Sequence, residues 1–166
     1  MHQRFALAAA GGGAKTALNN LGALVKPGGY IQLVESDMYN PHSRNGRSAE
    51  EFFGLMRSMF NLFGAPTTLA QDIVRWVREA GFEDVQEHKT VARFGANNAS
   101  DDLAEKAIFS AGVAVTSLLQ MAKTTPGIEL ETELSELDTL LPRLTADMRE
   151  HGVYLPMVIV TGRKPL

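Results

Sequence analysis

The sequence predicts an α/β fold, and three observations carry that prediction. Several stretches repeat apolar residues at intervals of three and four, the period of a helix with one buried face. One short run, 30–34, is almost continuously apolar and rich in strand formers. Proline and glycine pairs separate the two kinds of segment, giving the order helix, strand, helices, strand, helices, strand. With 166 residues, 45% of them hydrophobic, the chain is sized for one globular core.

Residues 2–9 form a short strand or the entry to a helix, followed by Gly11-Gly12-Gly13. From 14 to 25, Ala14, Ala17, Leu18, Leu21, Leu24 and Val25 mark a helix. Pro27 stops it by disfavouring the helical conformation of the residue before it, and Gly28-Gly29 supply the turn. The strand 30–34 then reads as buried on both faces. A polar loop spans 37–47, and Ser48-Ala49-Glu50-Glu51 has capping-box spacing for a helix reaching about Phe63. Its apolar residues Phe52, Phe53, Leu55, Met56, Met59, Phe60, Leu62 and Phe63 cover most of its circumference, more than one sheet face requires.

Gly64-Ala65-Pro66 breaks the chain before a helix from 68 to 80, which Gly81 ends. Residues 83–94 alternate as a strand. Ser100 caps a long amphipathic helix whose stripe is Ala104, Ala107, Ile108, Ala111, Val115, Leu118, Leu119 and Ala122. Pro126-Gly127 ends it, and the next helix, 129–151, is kinked or divided at Pro142. The last strand is 153–161, with Pro156 placing its early part at an edge or out of the ladder.

Several function classes lose support from composition. A net charge of -3 offers no basic footprint for nucleic acid. The absence of cysteine removes disulfides, thiolate metal sites and a Cys nucleophile. The four histidines show no metal-ligand spacing, so no metal is expected. No apolar run of membrane-spanning length and no signal-peptide pattern are evident, which gives a cytoplasmic location as the expectation. Gly13-Ala14-Lys15-Thr16 lacks the glycine that a phosphate loop places directly before its Lys.

Four junctions in sequence order resemble the C-terminal half of class I S-adenosylmethionine-dependent methyltransferases of the fungal secondary-metabolism type. These are His2-Gln3-Arg4-Phe5, Leu24 through Glu35 with its Lys-Pro-Gly-Gly turn, Glu79-Ala80-Gly81-Phe82-Glu83-Asp84-Val85, and Tyr154-Leu155-Pro156 through Arg163-Lys164-Pro165. The resemblance implies a single truncated, Rossmann-like domain over 1–166 with mostly helical cover and a helical insertion at about 100–151. It also implies that the N-terminal cofactor-binding half is missing, so that the chain has no cofactor site of its own. S-adenosylmethionine would enter only if a second chain completed a split enzyme.

On that resemblance, His2 and Arg4 lie at the end of the fourth strand, and Glu35 and Asp37 at the C-terminal end of the fifth, where open α/β sheets place ligands. These four are the candidate catalytic groups, and capping or solvent-facing roles stand beside that reading. Tyr39 and His42 form a candidate polar rim with Arg44. Met56, Met59, Phe60, Phe109 and Val113 correspond to acceptor-pocket regions, although Met and Phe are also ordinary core residues. His88 reads as a surface residue and His151 as complementing a helix C-terminus.

The expected function is a cofactor-independent isomerase or cyclase acting on a small apolar natural product, with part of a split methyltransferase and a non-catalytic binding remnant as the alternatives. Loss of the first half would expose a sheet edge and apolar faces. A homodimer through that edge and the helix 48–63 is the expected assembly.

Overall fold

The computed structural model describes residues 1–10 and 13–166. Gly11 and Gly12, read from sequence as punctuation, lie outside the described residues. The elements are β1 (His2–Arg4), α1 (Ala6–Ala9), α2 (Ala14–Leu24), β2 (Tyr30–Ser36), α3 (Arg47–Leu62), α4 (Leu69–Glu79), β3 (Glu83–Phe94), α5 (Asp101–Thr124), α6 (Leu134–Leu137), α7 (Leu140–Glu150) and β4 (Val153–Arg163). The strands form one sheet in the order β1-β2-β4-β3. β1 runs parallel to β2, with His2 opposite Gln32 and Arg4 opposite Val34. β4 runs antiparallel to β2, from Tyr30 opposite Arg163 to Ser36 opposite Met157.

The chain divides into two compact units, 1–39 with 63–90 and 156–166, and 40–62 with 91–155. In the first unit Leu7, Leu18, Ile31, Leu33, Ile73, Val77 and Val160 are fully buried. α2 packs on α4, and Phe82 fits against Gly22, where a β-carbon would lie 3.0 Å from its ring. β2 buries Ile31, Leu33 and Glu35 on one face and half-covers Gln32 and Val34 on the other. The two-sided burial expected of 30–34 is therefore one-sided, an alternation the apolar run conceals.

The Lys-Pro-Gly-Gly turn depends on Gly28, which adopts φ 73, a region open to glycine without penalty. Its amide donates to the Lys164 carbonyl at 2.9 Å, and the Lys164 amide donates to the Gly29 carbonyl at 2.8 Å. The Lys164 ammonium donates to the Gly22 carbonyl near the end of α2 at 2.9 Å, a favourable place for a cation. Pro156 precedes the last β2 pair, at Met157, so its missing N–H costs the β2–β4 ladder nothing.

In the second unit α3 packs on α5 and α7. Phe53, Leu55, Met59, Ile108, Val115, Leu137, Leu140, Leu144 and Met148 form its core. Of the apolar residues of the helix expected over 48–63, Phe52, Phe53, Leu55 and Met59 are buried, Met56 and Phe60 are half-buried, and Leu62 and Phe63 are exposed. The capping box at its start does not form. Ser48 donates its hydroxyl to Asp147 and Glu51 pairs with Arg47 and Arg143, so tertiary partners displace the local motif. The Ser100 cap does form, its hydroxyl accepting from the Leu103 amide at 3.3 Å.

The helix expected over 129–151 is two helices, α6 and α7, and the break precedes Pro142. Pro142 occupies the first turn of α7, where an amide has no intrahelical partner and proline is tolerated. By length and composition α5 reaches the range of a membrane span, contrary to the expectation from apolar runs. Its buried stripe, Ile108, Ala111, Val115 and Ala122, serves packing in the second unit.

Candidate functional site

The geometry of the first unit separates the four nominated catalytic groups. Because β1 and β2 are parallel and in register, their C-terminal ends coincide, and Glu35 lies just past the last β1 pair. His2 is level with Gln32, three residues and about 10 Å back along the strand. Its Nδ1 lies 2.8 Å from the Gln32 side-chain oxygen, so its ring is on the Gln32 face of the sheet, opposite the face of Glu35. Arg4 is level with Val34 on that same opposite face, exposed, with its guanidinium 5.2 Å from the Phe5 ring centre.

Glu35 is completely buried. One carboxylate oxygen accepts from the Leu7 amide at 2.9 Å, and the other has no partner. Burial raises its pKa above the usual carboxylate range, opposed by the amides of Leu7, Ala8 and Ala6. Those amides belong to the first turn of α1, whose N-cap, Phe5, sits at φ 55 and offers no side-chain cap. A carboxylate from the neighbouring strand takes the place of the missing cap. Glu35 is thus a clamp between β2 and the turn after β1. Asp37 is half-buried, its amide bonded to the Pro156 carbonyl at 2.8 Å and its carboxylate 3.5 Å from the Gln71 amide nitrogen. Tyr39 is partly exposed at the end of this unit.

In the second unit the loop after residue 39 is fastened through Tyr154. The His42 ring stacks on the Tyr154 ring at 4.5 Å between centres and 22° between planes, and the Arg44 guanidinium stands 5.9 Å from the same ring centre. Asn45 bonds both backbone groups of Tyr154, donating to its carbonyl at 2.8 Å and accepting from its amide at 2.9 Å. Sequence reading placed His42 on a rim but missed its partner, which lies more than a hundred residues away. A stack of this kind leaves no short-range signal.

The apolar candidates divide. Met59 is buried core, and Met56 and Phe60 are half-buried. Phe109 and Val113 are 74% and 53% exposed, and with Gly112, Thr116, Ser117 and Leu141 they line a groove of about 350 Å³ between α5 and α7. A second cavity of about 350 Å³, not foreseen from sequence, lies between the end of α3 and the segment 127–131. Among the described residues no group of three or more His, Asp or Glu is placed to hold a metal ion.

No protein-family model matches the chain. It is similar to three curated fungal methyltransferases, each at 27% identity. These are methyltransferase psoC of Aspergillus fumigatus (92% of this chain, 54% of the relative), N-methyltransferase sirN of Leptosphaeria maculans (99% and 58%) and N-methyltransferase tcpN of Claviceps purpurea (99% and 59%). The chain spans somewhat more than half the length of these relatives. Among solved structures it is similar to phosphoethanolamine N-methyltransferase 2 of Haemonchus contortus (TM-score 0.48, 9% identity, 99% of this chain and 33% of that one). A Bacillus halodurans protein described as a methyltransferase gives a TM-score of 0.42 at 15% identity, over 99% of this chain and 68% of that one.

Proposed function

We propose, from the premise that this chain is a homologue of fungal methyltransferases, that it forms the acceptor-side part of a methyltransferase acting on a small apolar metabolite. The observation that carries the reading is the alignment itself, which takes in 92–99% of this chain and only 54–59% of each relative. The groove lined by Phe109, Val113 and Leu141 supplies an apolar wall suited to such an acceptor. Two of the relatives are N-methyltransferases, so a nitrogen is the proposed methyl acceptor.

S-adenosylmethionine would supply the methyl group. Engagement of the amides at the first turn after β1 by Glu35 supports a cofactor held elsewhere. In this proposal further polypeptide, continuous with this sequence or separate, holds the cofactor. The outer edge of β1, a short parallel strand, is where further strands would add.

The cofactor-free isomerase or cyclase shares the apolar groove and has His2, Arg4, Glu35 and Asp37 as its candidate groups, of which the geometry weakens Glu35. A fully buried carboxylate committed to the Leu7 amide is poorly placed to take a proton from a substrate. Titrating the purified chain with S-adenosylmethionine tests the proposal. The expected result is no saturable binding by the chain alone, and methyl transfer once the portion of psoC that this chain does not match is supplied to it. Micromolar binding by the chain alone would overturn the division of labour. Turnover of an apolar substrate without cofactor would replace the proposal with the isomerase.

A further inference from the structure

We propose that the outer edge of β3 pairs with the same edge of a second copy of this chain, antiparallel and in a register centred on His88. β3 is the outermost strand of the sheet, bonded on one side to β4, and among the described residues no strand occupies its other side. Gln86, Glu87, His88, Lys89 and Thr90 are all exposed, so this run is covered on neither face. It lies within the first unit. Asp84 breaks the extended backbone ahead of it at φ 51, and no residue from 86 to 90 has a positive φ. Unpaired N–H and C=O groups along such a strand are a template for another strand.

Charges on an edge ordinarily guard against this kind of pairing. Here their order selects one partner and one register. Two copies of a strand paired antiparallel about a two-fold axis normal to the sheet keep directly opposite residues on one face, so the axis passes through a residue position. With His88 on the axis, Glu87 of each copy stands opposite Lys89 of the other, and Gln86 stands opposite Thr90. Within one chain Lys89 Nζ already lies 3.8 Å from Glu87 Oε1, which puts both side chains on the same face. Each lysine would then sit between two carboxylates. Centring the pair on Glu87 sets two glutamates directly opposite, and centring it on Lys89 sets two lysines opposite, both unfavourable. Of these three registers only the middle one matches opposite charges.

This edge is the one away from β1, so the pairing does not depend on the methyltransferase proposal. Sedimentation of the full chain across a micromolar concentration series tests it. A reversible dimer is expected, with amide exchange at 86–90 slowing as the dimer forms. Glu87→Lys and Lys89→Glu each place two like-charge pairs in the interface and should weaken self-association about tenfold. Mixed in equal amounts, the two variants regain opposite charges at both pairs and should associate as tightly as wild type. Both substitutions are at exposed positions, and unchanged melting temperatures check that the variants fold. A wild-type monomer throughout the series, amide exchange at 86–90 that ignores concentration, or a dimer insensitive to either reversal would each overturn the pairing. So would a mixture that associates no more tightly than its components.

Discussion

Glu35 decides whether the end of β2 is a chemical site or a structural joint, and two substitutions separate these roles. Glu35→Ala removes the acceptor for the Leu7 amide, which belongs to a residue with no exposed surface. Leaving a buried amide without an acceptor costs about 1–3 kcal/mol, because the stranded group cannot recover the bond from water. The expected loss of stability is therefore about 1–3 kcal/mol in mildly acidic solution. Glu35→Gln keeps a carbonyl oxygen for Leu7 and removes the titration.

The sign of the pH dependence follows from the raised pKa. The folded chain holds this proton more tightly than the unfolded chain does. The full contribution is present below the unfolded pKa and declines as pH rises to the raised folded value, then levels off. Each tenfold difference in proton affinity corresponds to about 1.4 kcal/mol. Urea unfolding followed through Trp76, the single tryptophan and a buried residue of the same unit, measures this across a pH series. Wild type should lose stability over that interval relative to Glu35→Gln. Parallel pH profiles, or an alanine variant within about 0.5 kcal/mol of wild type, would refute the clamp and return Glu35 to the list of candidate bases.

Three other perturbations test local packing. Burial pushes the Glu51 pKa up, but hydrogen bonds from Arg143 and Arg47 outweigh it and leave the net shift downward, so its contribution is lost as pH falls through the folded value. Glu51→Gln should cost about 1–2 kcal/mol at neutral pH and flatten the acid limb of unfolding, read by hydrogen exchange in α3. Asn45→Ala removes both bonds to the Tyr154 backbone; a loss of about 1–2 kcal/mol and faster proteolysis within 40–46 are expected. Gly95→Ala places a β-carbon into the Met148 carbonyl at φ 70, whereas Gly81→Ala meets open space at φ 83. The second should cost about 1–2 kcal/mol, the left-handed strain alone, and the first clearly more; equal melting temperatures for the two variants would remove the steric account.

What could be read from the sequence was whatever chain neighbours determine. Gly81, Ser100 and the span of β3 are local signals, and each behaves as its chemistry dictates. The failures are tertiary. Ser48 and Glu51 have capping-box spacing, but their partners are Asp147 and Arg143, 99 and 92 residues on. Pro142 was read as a breaker because sequence alone could not show that it would fall in a helix's first turn. Glu35 looked available because its partners are backbone amides 28 residues earlier, which no side-chain pattern announces.

The same distinction applies to the motifs that carry the family resemblance. The Lys-Pro-Gly-Gly turn and the Arg-Lys-Pro end were read as separate landmarks, yet they meet: Gly28 bonds Lys164, and Lys164 bonds Gly29. Arg163 also pairs with Asp84 at 3.0 Å and Glu83 at 3.2 Å, which joins the Glu79–Val85 landmark to the same place. Three of the four landmarks are thus pieces of one joint at one end of the sheet. Such a joint is held in place by backbone geometry and sheet closure, requirements that any chemistry built on the fold must meet. The resemblance rests on these residues for a structural reason, and so they cannot specify a reaction. Specificity has to come from surfaces that the joint leaves free to vary.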